Sequence, residues 1–266
     1  MLRLIMISAI IFVLAVVMTM AGRGGGNFYV LLLVLSGIPI HQAATTGQFI
    51  LFMTAISALF VFQKNKVVAW PLAILIGTLT ASTAFAGGYF SHWFSGFALK
   101  VIFSGLLAIA GGLMLFPVRD DRRVEAPTGF GYWRFQSGGK SYVVNLWIVI
   151  AVTLSAGFGS GMVGVSGGSF LVPLMVLACG IPMRVAVGTA SALIASTALM
   201  GFMGHTLQGD FNPALAAPLA AVTIVGGFIG GKFAMKTRPK HLKLLFAYTT
   251  LLASLFMVIN AFYSRT

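Results

Sequence analysis

The chain has 266 residues, of which 59% are hydrophobic and 8% charged, with 17 basic side chains against four acidic ones. A typical soluble domain carries about 25% charged residues, so this composition excludes an ordinary soluble protein and favours one whose apolar segments cross a membrane. The single cysteine, Cys179, excludes an internal disulfide framework.

The apolar segments form two sets, separated by a polar, glycine-rich stretch at 117–142. In chain order, helices are predicted at 4–20, 28–36, 42–62, 67–88 and 96–116, and then at 143–165, 170–179, 185–206, 213–232 and 241–262. The second segment of each set is too short to span a bilayer, which takes about 20 residues. We therefore predict a membrane repeat at 1–116, a cytoplasmic linker at 117–142 and a second membrane repeat at 143–266.

An internal duplication relates the two sets. With a shift of 143 residues and no gap, three motifs coincide: Gly24-Gly25 with Gly167-Gly168, Gly37-Ile38-Pro39 with Gly180-Ile181-Pro182, and Gly87-Gly88 with Gly230-Gly231. Helix-breaking residues at membrane depth are tolerated where the freed backbone is buried in protein or lines a cavity. This predicts a broken-helix hairpin at the start of each repeat. The alternative is close helix packing through small residues.

Basic residues in short loops predict the orientation of the helices, because such loops favour the cytoplasm. The loops at 63–66 and 235–240 are basic, whereas the loop at 207–212 carries only Asp210. Since 207–209 is the repeat equivalent of 64–66, the repeats are predicted to be inverted relative to each other. The expected fold is an all-α polytopic membrane protein with two inverted repeats, each a broken-helix hairpin plus three transmembrane helices. A parallel arrangement with four crossings per repeat is the alternative.

Residues 161–173 read Gly-Met-Val-Gly-Val-Ser-Gly-Gly-Ser-Phe-Leu-Val-Pro, and Gly-Ile-Pro at 180–182 and Ala-Val-Gly-Thr-Ala-Ser at 186–191 follow. This pattern resembles the signature of the sulfite exporter TauE/SafE family. The first repeat is a degenerate copy, with Arg23 at the position of Ser166. The resemblance implies a membrane transporter for small sulfur-containing anions, such as sulfite or an organosulfonate, for example sulfoacetate.

The acidic residues all fall in predicted loops, at Asp120, Asp121, Glu125 and Asp210. A cation carrier with carboxylate ligands is therefore disfavoured. A zinc protease is disfavoured too, because the sequence has no His-Glu-x-x-His motif. We expect no enzyme activity, catalytic residue, metal, cofactor or nucleic-acid partner. The alternatives to an exporting carrier are an anion channel and a non-transporting membrane scaffold or enzyme whose central loop recruits a partner.

The glycine-rich tips of the two hairpins are the candidate anion site. A helix N-terminus presents free backbone N–H groups and the positive end of the helix dipole, and glycine lets the backbone approach a ligand closely. Two such tips facing each other near the middle of the membrane are expected to hold sulfite or a sulfonate. The predicted binding residues there are Arg23, Gly24, Gly25, Gly26, Asn27, Gly167, Gly168 and Ser169. For Arg23, snorkelling to the membrane interface is the alternative.

A second group of candidates follows each Gly-Ile-Pro turn. Thr46 and Gln48 in the first repeat, and Thr189 and Ser191 in the second, are predicted either to complete the anion site or to make helix-packing hydrogen bonds. The repeat-equivalent His41 and Arg184 are predicted to flank opposite mouths, as gate residues or as interface anchors. The expected partners are a small anion and the lipid bilayer of a bacterial inner membrane. Whether the protein is a monomer or a homodimer stays open.

Overall fold

The computed structural model describes residues 2–90, 96–116, 130–137, 139–163, 167–207 and 211–263. The elements in these ranges are α1 (Leu2–Met20), α2 (Gly26–Leu35), α3 (Ile40–Lys64), α4 (Trp70–Tyr89), α5 (Gly96–Leu115), β1 (Tyr132–Ser137), β2 (Lys140–Asn145), α6 (Leu146–Val163), α7 (Gly168–Pro173, continued by a π-helical turn at Leu174–Ala178), α8 (Met183–Thr206), α9 (Pro213–Lys236) and α10 (Pro239–Tyr263). By length and composition, five of these helices can cross a membrane: α3, α4, α8, α9 and α10. The predicted helical, polytopic membrane fold is confirmed.

The helix boundaries of the two halves keep the register of the duplication. Helices α8, α9 and α10 begin 143 residues after α3, α4 and α5, respectively. The same turn chemistry produces this match. Gly37 and Gly180 have φ angles of 84° and 65°, which end the short helices. Pro39 and Pro182 then occupy the N-cap positions of α3 and α8.

Glycines let helices from opposite halves pack backbone to backbone. A Cβ atom on Gly87 of α4 would overlap the carbonyl oxygen of Phe158 in α6. At the equivalent position, a Cβ on Gly230 of α9 would lie 2.5 Å from the carbonyl oxygen of Val16 in α1. Close packing of this kind favours helix association in lipid, where apolar side chains gain nothing from leaving water. The α4–α6 and α1–α9 pairs are therefore equivalent contacts of the two halves.

The contacts also set the relative directions of the helices. Where the residue numbers of two contacting helices rise together, the helices are parallel, as for α9 with α3 (Gly227 against Thr54, Gly231 against Val61) and for α4 with α8 (Gly77 against Ser196, Phe85 against Gly204). In contrast, α3 and α8 are antiparallel. Gln48 near the start of α3 lies against Gly201 near the end of α8, and Val67 just after α3 lies against Gly188 near the start of α8.

The second part of the predicted linker forms a β-hairpin. Strands β1 and β2 are antiparallel, with Trp133 opposite Val144 and Phe135 opposite Tyr142. Side chains alternate across a strand, so these four lie on one face, and Phe135 and Val144 are buried in the core. The predicted helix start at 143 is wrong, because β2 continues to Asn145, whose Oδ1 accepts a hydrogen bond from the Trp147 N–H of α6 at 3.0 Å. Residues 117–129 lie outside the described ranges.

Candidate functional site

The two glycine-rich turns lie inside the protein and contact each other. Residues 21–26 of the first turn and 167–169 of the second are buried. A Cβ atom on Gly168 would lie only 3.1 Å from the carbonyl oxygen of Gly22. The two tips are therefore packed backbone against backbone. The absence of a side chain at Gly168 allows this close approach of the two tips.

Both tips lie beside the middle of the two antiparallel helices α3 and α8. Gly24 packs against Leu51 of α3 and Ile194 of α8, and Gly168 packs against Ile194 as well. Leu51 and Ile194 are repeat equivalents, and each lies near the midpoint of a helix long and apolar enough to be a membrane span. The tips are thus at mid-span depth, far from either helix end.

A buried arginine joins the tips. Arg23 is 3% exposed, and its guanidinium donates from Nε and Nη2 to the hydroxyl oxygen of Ser169, at 3.0 and 2.8 Å. The Phe246 ring centroid lies 6.0 Å from the Arg23 Cζ. Gly22 and Gly24 flank the arginine with φ angles of 74° and 71°, a conformation that glycine adopts readily, so the chain reverses at this point. The arginine therefore points into the protein and does not snorkel to the interface.

A narrow crevice lies at the first tip. It is too tight to admit a water molecule, and it is lined by Met18, Arg23, Gly25, Gly26, Asn27 and Phe28. The Asn27 Nδ2 is buried and has no hydrogen-bond partner among the residues that the structure describes. Asn27 lies in the first turn of α2, where backbone N–H groups lack intrahelical acceptors. Arg23 and Asn27, whose side chains both carry N–H donors, are therefore the polar side chains that line this crevice.

The residues after the Gly-Ile-Pro turns make different contacts in the two halves. The Thr189 hydroxyl oxygen accepts a hydrogen bond from the Ala69 N–H at 2.9 Å, and the Ser191 hydroxyl donates to the Val187 carbonyl oxygen at 3.4 Å. The first bond joins α8 to the residue before α4, and the second lies within α8. The equivalent Thr46 and Gln48 are also buried, but Thr46 Oγ1 and Gln48 Oε1 have no partner within the described ranges.

The two mouth candidates lie at opposite ends of the α3–α8 pair. His41 is exposed in the first turn of α3. Arg184 is partly buried in the first turn of α8, and its Nη2 donates to the carbonyl oxygen of Thr237, the C-cap of α9, at 3.0 Å. A cation there also interacts favourably with the negative end of the α9 dipole. Arg184 therefore anchors α8 to α9.

Three residues around the tips were not predicted from the sequence. Leu51 and Ile194 clamp Gly24, and Phe246 of α10 lies beside the Arg23 guanidinium. The register of the duplication held a signal for the first two, because they occupy equivalent positions. Phe246 belongs to no motif. In the part of the chain that the structure describes, no group of three His, Cys, Asp or Glu side chains is arranged to hold a metal ion.

The sulfite exporter TauE/SafE family matches residues 7–257, which is nearly the whole chain. The protein belongs to this family. Its relatives include the probable membrane transporter protein YunE of Bacillus subtilis strain 168, which is 24% identical over 92% of this chain and 94% of its own length. YdhB, a probable membrane transporter protein of the same organism, is 23% identical over 86% of this chain and 89% of its own.

A probable membrane transporter protein of Methanocaldococcus jannaschii is 22% identical over 93% of this chain and 92% of its own length. No solved structure matches the chain significantly. The family and these relatives, together with five long apolar helices, establish this TauE/SafE protein as an integral, multi-pass membrane transporter.

Proposed function

We propose that this TauE/SafE protein is a secondary carrier that exports sulfite or a small organosulfonate, such as sulfoacetate, across the inner membrane of a bacterial cell. The observation that carries the proposal is the junction of the tips, where the buried Arg23 guanidinium lies between two glycine-rich turns. The family description, sulfite exporter, supports the sulfur oxyanion class.

The chemistry of the junction favours an oxyanion over other solutes. The Nε and Nη2 of Arg23 form a planar fork that matches two oxygens of an oxyanion, and hydrogen bonds to a charged acceptor are about twice as strong as neutral ones. The Asn27 Nδ2 adds a further donor. Away from water a fixed positive charge attracts an anion more strongly and repels a cation. In this proposal the anion accepts hydrogen bonds from the side-chain N–H groups of Arg23 and Asn27.

We also propose that the two repeats have opposite membrane orientations and alternate access about the tips. The antiparallel packing of α3 and α8, which are repeat equivalents, supports the inversion. With this arrangement the first hairpin enters from one side of the membrane and the second from the other, as in other carriers built from inverted repeats. Moving one tip away from the other would open the junction to one side only.

The inversion predicts that residues 64 and 207 face opposite compartments. Cys179 is the single cysteine and is buried, so Cys179→Ala provides a background for single-cysteine labelling. In that background we expect Lys64→Cys to react with a membrane-impermeant maleimide only from the cytoplasmic side, and Leu207→Cys only from the outside. Both positions are exposed. The Cys179→Ala protein without an added cysteine is the unlabelled control, and labelling of both variants from one compartment would contradict the inversion.

Flux into proteoliposomes tests the substrate and the mode of transport. We expect saturable uptake of sulfite or sulfoacetate that exceeds uptake of sulfate and of acetate measured side by side. An inside-negative potential drives anions outward, so imposing one should accelerate efflux. A conductance far above carrier turnover would favour the channel alternative. The scaffold alternative would be favoured if none of the four anions were transported and residues 120–140 bound a partner protein.

A further inference from the structure

Two nitrogens of the Arg23 guanidinium donate to one neutral acceptor, the hydroxyl oxygen of Ser169. Nε and Nη2 lie on the edge of the guanidinium that binds two oxygens of an anion in bidentate pairs. Here both donate to the same atom, the Ser169 Oγ, at 3.0 and 2.8 Å. Ser169 is fully buried and belongs to the opposite tip. Its hydroxyl therefore occupies the place on Arg23 that an oxyanion would take.

We propose that Ser169 is a latch that the transported anion displaces, and is a competitor of that anion for Arg23. The inference rests on the proposed function, because it takes the anionic substrate from there. In the closed protein the Ser169 hydroxyl fills the Arg23 fork and ties the second tip to the first. The anion binds by replacing this hydroxyl on Nε and Nη2. This reverses the role predicted from the sequence, in which Ser169 is a ligand of the anion.

The exchange favours an anion and resists other solutes. An oxyanion accepts charge-assisted hydrogen bonds from both nitrogens with separate oxygens, whereas the serine hydroxyl offers one neutral oxygen to both. A neutral solute has no such advantage over the hydroxyl. An anion therefore displaces the Ser169 hydroxyl from Arg23, whereas a neutral solute does not.

The exchange also couples binding to movement. The bonds from Arg23 to Ser169 join residues 146 positions apart, one from each half of the duplication. Once the anion has replaced Ser169, the tips are held by the packing of Gly168 against Gly22 and their neighbours. The free energy of anion binding therefore differs between the state with joined tips and the state with separated tips. Such a difference is the condition for a ligand to shift a conformational equilibrium.

Binding measurements on the purified full-length protein test the latch. With sulfite and sulfoacetate as ligands, we expect Ser169→Ala to lower the Kd about tenfold, because the anion no longer competes with a hydrogen bond to a charged group. The matched control is Ser160→Ala, which removes a hydroxyl that is equally buried beside Gly167 but donates to the Gly157 carbonyl oxygen at 2.8 Å. The control should leave the Kd unchanged.

Hydrogen exchange of the tips gives a second readout that needs no ligand. Without anion, the backbone amides of residues 21–26 and 167–171 should exchange faster in Ser169→Ala than in the wild type and in Ser160→Ala. If Ser169→Ala does not fold, Ser169→Cys decides by the same criteria, since it keeps the volume but offers sulfur, a weak acceptor.

The outcomes separate the latch from the proposed function. Wild-type protein that binds neither anion contradicts the proposed function, and unchanged tip exchange in Ser169→Ala then contradicts the latch as well. Anion binding that Ser169→Ala weakens makes Ser169 an ordinary ligand and overturns the latch alone. Equal effects of Ser169→Ala and Ser160→Ala also overturn it.

Discussion

Arg23→Gln is expected to lower the affinity for sulfite and sulfoacetate by about 100-fold or more and to abolish their transport. The amide nitrogen of glutamine can still donate to the Ser169 hydroxyl, so the tips stay joined while the positive charge is lost. The measurements are the Kd of the purified protein and the flux in proteoliposomes. Arg238→Gln, the same change at an exposed position, is the matched control and should have no effect.

The thermal stability of Arg23→Gln shows whether a loss of anion binding comes from the lost charge or from unfolding. A buried cation is costly to keep in the low dielectric of a membrane protein. Its removal should therefore leave thermal unfolding of the detergent-solubilised protein unchanged or shift it to higher temperature. A folded Arg23→Gln protein that binds the anions with wild-type affinity would contradict a site at the tips. Loss of binding without loss of fold is the expected combination.

Gly168→Leu should eliminate anion binding for a steric reason. A Cβ atom at this position lies 2.7 Å from the Ile194 Cδ1 and 3.1 Å from the Gly22 carbonyl oxygen. The end of the Ile194 side chain can shift, whereas the Gly22 carbonyl can move only with its backbone, so the additional carbon atoms of leucine force the two tips apart. The leucine side chain then fills the space beside Gly22 and next to Arg23, where the anion is proposed to bind.

The control for this substitution is Gly112→Leu on α5, where a Cβ atom meets nothing within 4 Å. Both variants should be extractable and monodisperse, since the main helix pairs do not involve Gly168. The readout is the Kd for sulfite or sulfoacetate. Normal affinity in Gly168→Leu would show that the anion binds elsewhere, and equal losses in both variants would indicate a general effect of added volume.

The register of the duplication made much of the fold predictable. The Gly-Ile-Pro turns fix the starts of α3 and α8 because glycine supplies the positive φ and proline ends hydrogen bonding into the preceding turn. The β-hairpin was missed, because its two strands are short and their apolar face alternates within a polar stretch. Such short alternation is weak beside the long apolar runs around it.

The candidate site was predictable as a set of residues and not as a set of contacts. Arg23 and Ser169 both stood out in the glycine tips, yet their hydrogen bonds span a sequence separation of 146 residues, which no local pattern encodes. Thr189 shows a second limit. A threonine hydroxyl serves a ligand or a neighbouring helix equally well, and only the position of the Ala69 N–H decides between them.

The hydrogen bond between Ala69 and Thr189 has no counterpart at Thr46, although Thr46 is the equivalent residue and is equally buried. The two halves therefore differ in conformation at this position. If the two halves exchanged conformations, the Ala69 N–H would lose its bond to Thr189. Thr46 would then accept a hydrogen bond from the N–H of Asn212, the equivalent of Ala69. The proposed alternating access requires such an exchange, and we expect the amide protons of Ala69 and Asn212 to report it.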